Sequence, residues 1–255
     1  MRTAGLAAAM AMATAMVVIG WDGAAVAAPG LADQVYSPYV KNGVTEIEVR
    51  GGRLTGGSQD GDSAAVVEVE HGFTDRISLA VLGEFEDAPG ERRKLDSLAV
   101  EGVAYLGQVP GTGVDVGGYL EYEQRIHNES GKLEAKLLLA RRFGPVQGRL
   151  NLIAEQALTN RPGQGKIEFG YAAQGVVDAG RNVQLGLQAF GDLGTRRSFA
   201  GRQAHYVGPV VRWEGRLGRA PGELELEAAY LLPVAAARRD SDGQVRFALA
   251  WEKRF

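Results

Sequence analysis

The 255-residue sequence contains no cysteine and only three histidines, His71, His127 and His205. Without cysteine the chain can form no disulfide framework, no cysteine-ligated zinc site and no covalently attached haem. None of the histidines has a second histidine at the spacing of a metal site, which argues against a metal centre built on them. We therefore expect no metal and no cofactor.

Positive charge and long apolar runs are also scarce. The chain has 28 lysines and arginines against 31 aspartates and glutamates, whereas a nucleic-acid-binding protein needs a basic stripe that neutralises phosphates. We therefore expect no nucleic-acid partner. After the first residues, no window offers the ~18 consecutive apolar residues of a membrane-spanning helix. This excludes a bundle of such helices.

The first 27 residues have the features of a cleaved signal peptide. Arg2 gives a positive start, residues 4–18 are apolar and mostly small, and Ala25-Val26-Ala27 is a small-x-small cleavage site. Cleavage after Ala27 divides the chain into a signal peptide (1–27), a periplasmic N-terminal segment (28–42) and a folded domain (43–255). A membrane-anchoring helix remains the alternative, because residues 4–20 are nearly long enough to span a bilayer.

From residue 43 onward, apolar residues recur at every second position, and no helical period is sustained. About twelve such segments can be read. Tight turns such as 72–75 and 178–182 alternate with longer polar connectors such as 192–204. An even strand number, with short turns at one end and long loops at the other, is typical of an outer-membrane barrel with both chain ends on the periplasmic side.

The other face of the same segments is polar. Its side chains are predicted to line the interior of the barrel: Glu46, Glu48, Arg50, Glu68, Glu70, Glu84, Glu121, Glu123, Arg149, Gln184, Gln188, Arg212, Glu225, Glu227 and Arg246. A soluble β-sandwich or lipocalin-like barrel satisfies the same alternation. The length of the segments favours the membrane, because a tilted transmembrane strand needs about 9–11 residues. The many small residues on the apolar face would fill a soluble core poorly.

The last segment, VRFALAWEKRF, keeps strand alternation up to its final residue, Phe255. It resembles the C-terminal signature by which outer-membrane barrels are recognised for assembly, and it departs from that signature at Lys253. The segment VYSPYVKNGVTEIEVRGG (35–52) is similar to the opening of uncharacterised proteobacterial barrels grouped near the phenol-degradation MetA-like transporters. These resemblances imply insertion by the barrel-assembly machinery and a small-solute channel or a barrel of unknown role. They transfer no site residues.

We therefore predict an all-β, antiparallel up-and-down barrel of about twelve strands in a Gram-negative outer membrane. It is expected to be a passive pore or transporter for small solutes and not an enzyme. Its inward charges either line a slightly acidic pore that favours cations or neutral solutes, or form structural ladders that fill the lumen. A symmetrical turn near residue 219 would set Arg212 opposite Glu227 and Glu214 opposite Glu225.

Two alternatives to a pore remain open, a non-conducting structural barrel and a lipid-modifying enzyme. The candidate catalytic pair of such an enzyme is His127 and Ser130 in the HNES loop. The basic loops 194–202 and 237–242 are predicted to contact lipopolysaccharide, because arginine pairs phosphate bidentately. Trp213, Trp251 and Phe255 are expected in an aromatic girdle at the periplasmic interface.

Overall fold

The computed structural model describes residues 31–87, 94–126, 131–158, 166–200, 203–216 and 221–255. Alternating apolar and polar residues form long antiparallel strands throughout this part of the chain. The strands are β1 (Val44–Thr55), β2 (Ser63–Gly72), β3 (Ile77–Asp87), β4 (Lys94–Val109), β5 (Val114–Arg125), β6 (Gly131–Phe143), β7 (Val146–Leu158), β8 (Ile167–Gly180), β9 (Val183–Thr195), β10 (Ser198–Phe199), β11 (Ala204–Gly215), β12 (Glu223–Ala235) and β13 (Gly243–Arg254). A single 3-10 turn in the described residues spans Ala236–Arg239.

The sheet is closed. Each long strand pairs with its neighbour in the chain, and β13 pairs along its whole length with β1, from Val44 opposite Arg254 to Thr55 opposite Gly243. The two-residue β10 pairs only with β9, so twelve strands form the barrel wall in the described residues. The predicted barrel fold is confirmed.

The outer surface of the barrel is an apolar belt. Its large exposed side chains include Ile47, Val67, Val69, Leu79, Val81, Leu98, Val100, Leu120, Leu137, Leu152, Leu185, Leu187, Val211, Leu226, Leu232, Phe247 and Leu249. A closed sheet satisfies its backbone groups between strands, so such a belt is stable in hydrocarbon. Within the described ranges, no helix has the length and apolar character needed to cross a membrane.

The two ends of the barrel differ. Connectors 73–76, 110–113, 144–145 and 181–182 lie at one end, together with the start of β1 and the end of β13; we call this the short-turn end and the other the long-loop end. Arg181 and Asn182 have φ values of 53° and 66°, as both central residues of a type I′ turn require. The hairpin pairings of Arg212 with Glu227 and of Glu214 with Glu225 are confirmed.

Residues 31–42, which we call the inner segment, run inside the barrel from its short-turn mouth, where Tyr39 and Lys41 are exposed. The Leu31 carbonyl lies against Gly52 and the Lys41 carbonyl against Gly72, at distances that a Cβ on either glycine would not allow. Ala32, Val35 and Tyr36 are buried. Strand alternation carries no information on a segment without strands, so its position could not be read from the sequence. Residues 28–30 and the signal peptide with Ala27 lie outside the described residues.

Candidate pore and its charged lining

The lumen of the barrel contains polar and apolar side chains. All fifteen residues predicted to line it lie on the inner face, where they alternate along their strands with the exposed apolar belt. Towards the long-loop end, an apolar cluster that includes Leu54, Phe190, Tyr206 and Leu231 fills the space beside β9, β11 and β12. Ala236 and Ala237 of the 3-10 turn belong to this cluster. One side of the lumen is therefore packed like a protein core.

The inner segment is held in the lumen by hydrogen bonds from its middle. The backbone of Tyr36 donates to Asn151 Oδ1 at 2.7 Å, and Asn151 Nδ2 donates to the Tyr36 carbonyl at 3.0 Å. The Tyr36 hydroxyl donates to Glu101 at 3.0 Å, and its ring packs on Tyr119 with centroids 4.6 Å apart. These contacts join the segment to β4, β5 and β7, and thereby obstruct the centre of the lumen.

The ends of the inner segment are also held. Arg50 Nε donates to the Ala32 carbonyl at 2.9 Å. At the short-turn end Lys41 forms an ion pair with Glu252 at 2.6 Å, and the Tyr39 hydroxyl donates to Asp115 at 2.8 Å. The segment therefore extends through the lumen from Ala32, beside Arg50, to Lys41 at the short-turn end. It narrows any path that a solute could take through the barrel.

Glutamates form a row along the inner wall that is interrupted once. From β12 across to β8, each glutamate lies directly opposite the next one on the neighbouring strand, except at β3. We call this row the glutamate ladder; it consists of Glu223, Glu252, Glu46, Glu70, Glu101, Glu121, Glu134, Glu155 and Glu168, with Ala80 on β3 between Glu70 and Glu101.

The glutamate ladder rises through the barrel because the strands are tilted relative to its axis. Its first member, Glu223, begins β12 at the short-turn end. Glu46 is the third residue of β1, and Glu168 is the second residue of β8, at the long-loop end. A row of carboxylates thus connects the two mouths of the barrel.

Only part of this row was visible in the sequence. Glu46, Glu70 and Glu121 are among the fifteen predicted lining residues, whereas Glu101, Glu155 and Glu168 are not. Glu101 was missed because Ala99 and Val103, its neighbours on the inner face of β4, are apolar. The alternation of apolar and polar residues shows which face of the sheet a residue lies on. The row itself becomes visible only from the register in which ten strands pair.

Cations neutralise some of the inner carboxylates. Arg50 contacts Glu48 at 2.6 Å and Glu68 at 2.5 Å. Lys136 contacts Glu134 at 2.8 Å, within the ladder itself. Glu46 and Glu70 form no ion pair with any described lysine or arginine. Because like charges directly opposite each other destabilise a sheet, the carboxylates of the ladder that have no ion pair require protons or cations beside them.

The inner faces of β7, β9 and β11 carry arginines and amides. Arg212 pairs with Glu225 and, at 3.3 Å, with Glu227, and Gln188 donates to Glu227. Arg149 forms no ion pair within the described part of the chain and lines a cavity of about 320 Å³. Glu46 lines the same cavity, as does Tyr36 of the inner segment. The lumen therefore keeps a cavity beside the inner segment.

Some residues of the predicted loops lie outside the described ranges. The HNES loop with His127 and Ser130 does so, as does Arg202 of the first basic loop. Arg196 and Arg197 of that loop are described and exposed. The candidate catalytic pair of the enzyme alternative therefore stays a prediction.

Comparison with solved structures supports the barrel fold. No protein-family model matches the chain, and no curated protein sequence matches it. Among solved structures, it is similar to the KdgM porin in complex with disordered oligogalacturonate, with a TM-score of 0.52 and 10% identity over 82% of this chain and 99% of that one. It is also similar to the COG4313 outer membrane channel from Pseudomonas putida F1, with a TM-score of 0.55 and 13% identity over 85% and 97%. At these identities the likeness shows the barrel fold alone.

Proposed function

We propose that this chain is a passive pore for small solutes in a Gram-negative outer membrane, and that it favours cations. The observation that carries the proposal is the glutamate ladder, which connects the two mouths of the barrel. Carboxylates along a narrow lumen with low-dielectric walls concentrate cations and repel anions. The apolar belt and the similarity to two outer-membrane channels support the location.

The charge of the lumen bears on the class of solute. The KdgM porin was solved with oligogalacturonate, which is a chain of carboxylate sugars. The ladder would repel such a polyanion, because neither Glu46 nor Glu70 is offset by an ion pair in the described residues. The inner segment narrows the lumen further, so we assign small cationic or neutral solutes to this pore.

Conduction is the direct test of the pore. Purified mature protein in a planar bilayer is expected to give stepwise openings. A silent barrel would contradict the proposal and favour the structural barrel. A silent barrel that hydrolyses lipid would instead favour the enzyme alternative.

Neutralising the ladder is expected to reduce cation selectivity. In the double variant Glu46→Gln, Glu70→Gln, the ratio of cation to anion permeability should fall towards unity, because two unpaired carboxylates leave the wall of the open cavity. The reversal potential in a KCl gradient measures this ratio. The control is Asp75→Asn with Asp242→Asn, which removes the same charge from exposed connectors. Equal selectivity in both double variants would show that the ladder does not set it.

Lipid and assembly partners follow from the two exposed ends of the molecule. Phe255 is exposed at the short-turn end, where the barrel-assembly machinery could recognise it. Arg196 and Arg197 are exposed at the long-loop end, where the outer leaflet carries lipopolysaccharide. We propose both as partners, and extend the second to Arg202 and to the basic loop 237–242.

Loss of the loop arginines is expected to weaken lipopolysaccharide binding. Replacing Arg196, Arg197 and Arg202 with serine removes the bidentate phosphate donors of this loop. The amount of lipopolysaccharide that copurifies per barrel should fall. Arg141→Ser, which removes an exposed arginine near the short-turn end of β6, is the control. Retention equal to that of the unmodified protein would rule out the contact.

A further inference from the structure

The gap in the glutamate ladder at Ala80 is where its carboxylates converge most closely. Ala80 lies opposite both Glu70 and Glu101, so the small side chain leaves space between them. Carboxylate oxygens of Glu68, Glu70 and Glu101 lie within 4.8 Å of one another. Three carboxylates from two strands therefore face one point in the lumen.

One oxygen of Glu68 and one of Glu101 already have hydrogen-bond partners. Arg50 engages Oε2 of Glu68. Tyr36 and Tyr119 both donate to Oε2 of Glu101, at 3.0 and 2.7 Å. Oε1 of Glu101 is buried and has no hydrogen-bond partner among the described residues. The chain thus surrounds this oxygen and supplies no donor to it.

A second buried polar group lies beside the gap. Ser78 is the inward residue of β3 next to Ala80, and it lies opposite Gly72 and Val103. Its side chain is 1% exposed, and its hydroxyl group faces the carboxylate of Glu70. The hydroxyl therefore supports the position of the Glu70 carboxylate at the gap.

Carboxylates outnumber cations around the gap. Glu48, Glu68, Glu70 and Glu101 bring four carboxylates, and Arg50 contacts two of them. The other nearby cation, Lys136, lies on the rings of Tyr36 and Tyr119 and forms its ion pair with Glu134. Buried carboxylates without counter-ions require either a proton or a cation. From the convergence of these carboxylates and the unpartnered oxygen of Glu101 we infer that Glu68, Glu70 and Glu101, supported by Ser78, form a binding site for one Ca²⁺ ion.

The kind of ligand favours Ca²⁺ among the divalent cations. The three carboxylates supply oxygen ligands, and oxygens of all three lie within 4.8 Å of one another. Ca²⁺ accepts such ligands in a flexible geometry at about 2.3–2.6 Å, whereas Mg²⁺ requires a nearly ideal octahedron at about 2.0–2.1 Å. Water completes the six to eight ligands that Ca²⁺ takes.

Binding to purified mature protein in detergent tests the site. After treatment with a chelator, calorimetric titration with CaCl₂ is expected to show one saturable site. A hundredfold excess over the dissociation constant should raise the thermal unfolding midpoint by about 5 °C or more. The site lies on the proposed cation path, but this measurement does not require conduction. A failure to bind Ca²⁺ and a failure to conduct are therefore separate results.

Two sets of variants locate the bound ion. The double variant Glu70→Gln, Glu101→Gln should abolish Ca²⁺ binding, whereas Glu168→Gln with Glu223→Gln, at the two ends of the ladder, should retain it with the same change in charge. Ser78→Ala changes little volume and should weaken binding several-fold, so it decides the question if the first double variant does not fold.

Two results would overturn the inference. The first is the absence of a saturable Ca²⁺ site in the unmodified protein, which would mean that the carboxylates at the gap are protonated. The second is Ca²⁺ affinity in Ser78→Ala and in any folded Glu70→Gln, Glu101→Gln protein equal to that of the unmodified chain.

Discussion

Replacing residues 31–40 with a glycine-serine segment of equal length is expected to increase single-channel conductance several-fold. The change removes the Tyr36 hydroxyl from Glu101 and the Tyr36 backbone from Asn151. It also removes the proline and the aromatic rings that pack this part of the lumen. A flexible polar chain has no comparable reason to stay inside, because ordering it costs conformational entropy that no buried contact offsets. Conductance in planar bilayers measures the result.

The control keeps the inner segment and removes one of its outer contacts. Tyr39→Phe deletes the hydrogen bond to Asp115 at the short-turn end and leaves the Tyr36 contacts intact, so conductance should change little. The long-loop cluster around Phe190, Tyr206 and Leu231 offers a competing explanation of a narrow lumen. If the glycine-serine replacement leaves conductance unchanged, this cluster and not the inner segment limits flow.

Leu137→Arg is expected to cost about 2–4 kcal/mol of barrel stability, the cost of a cation on the lipid face at the bilayer midplane. Leu137 is the central residue of β6, and its side chain is 41% exposed on the outer belt. Its neighbour Lys136 faces the lumen, where Glu134 and the rings of Tyr36 and Tyr119 surround its ammonium group. A cation is therefore accommodated on one face of β6 and expelled from the other.

The amount of heat-modifiable, folded barrel in the outer membrane measures this cost, and urea unfolding of the purified protein gives its free energy. Phe143→Arg is the matched control, because Phe143 ends β6 at the short-turn end. A cation near the interface costs about 0–1 kcal/mol. Normal assembly of both variants would show that the outer belt of β6 does not face hydrocarbon.

The placement of residues on the two faces of the barrel could be predicted from the sequence. Period-two alternation assigned Leu137 to the outside and Glu121 to the inside, and the structure places both there. The pairing of Arg212 with Glu227 was also within reach, because a tight hairpin fixes the register of the strands that it joins. These predictions depend on local geometry, and local geometry is encoded in neighbouring residues.

The candidate site was only partly predictable. Glu101 lies between apolar inner residues of β4 and gives no sequence signal of its own; it becomes a member of the ladder only when β3 and β5 set Ala80 and Glu121 opposite it. The inner segment has no alternation, so its path through the lumen could not be predicted from its residues. Contacts between residues as distant as Tyr36 and Asn151 leave no local pattern.

The sequence by itself determined that this chain forms about twelve long strands with one apolar and one charged face. The tertiary structure decided which charges meet. Strand tilt and stagger set the height of each residue in the barrel. Neither can be read from the alternation of apolar and polar residues in the sequence. For this reason the ladder, the gap at Ala80 and the occupied lumen emerged only when the twelve described strands were placed side by side.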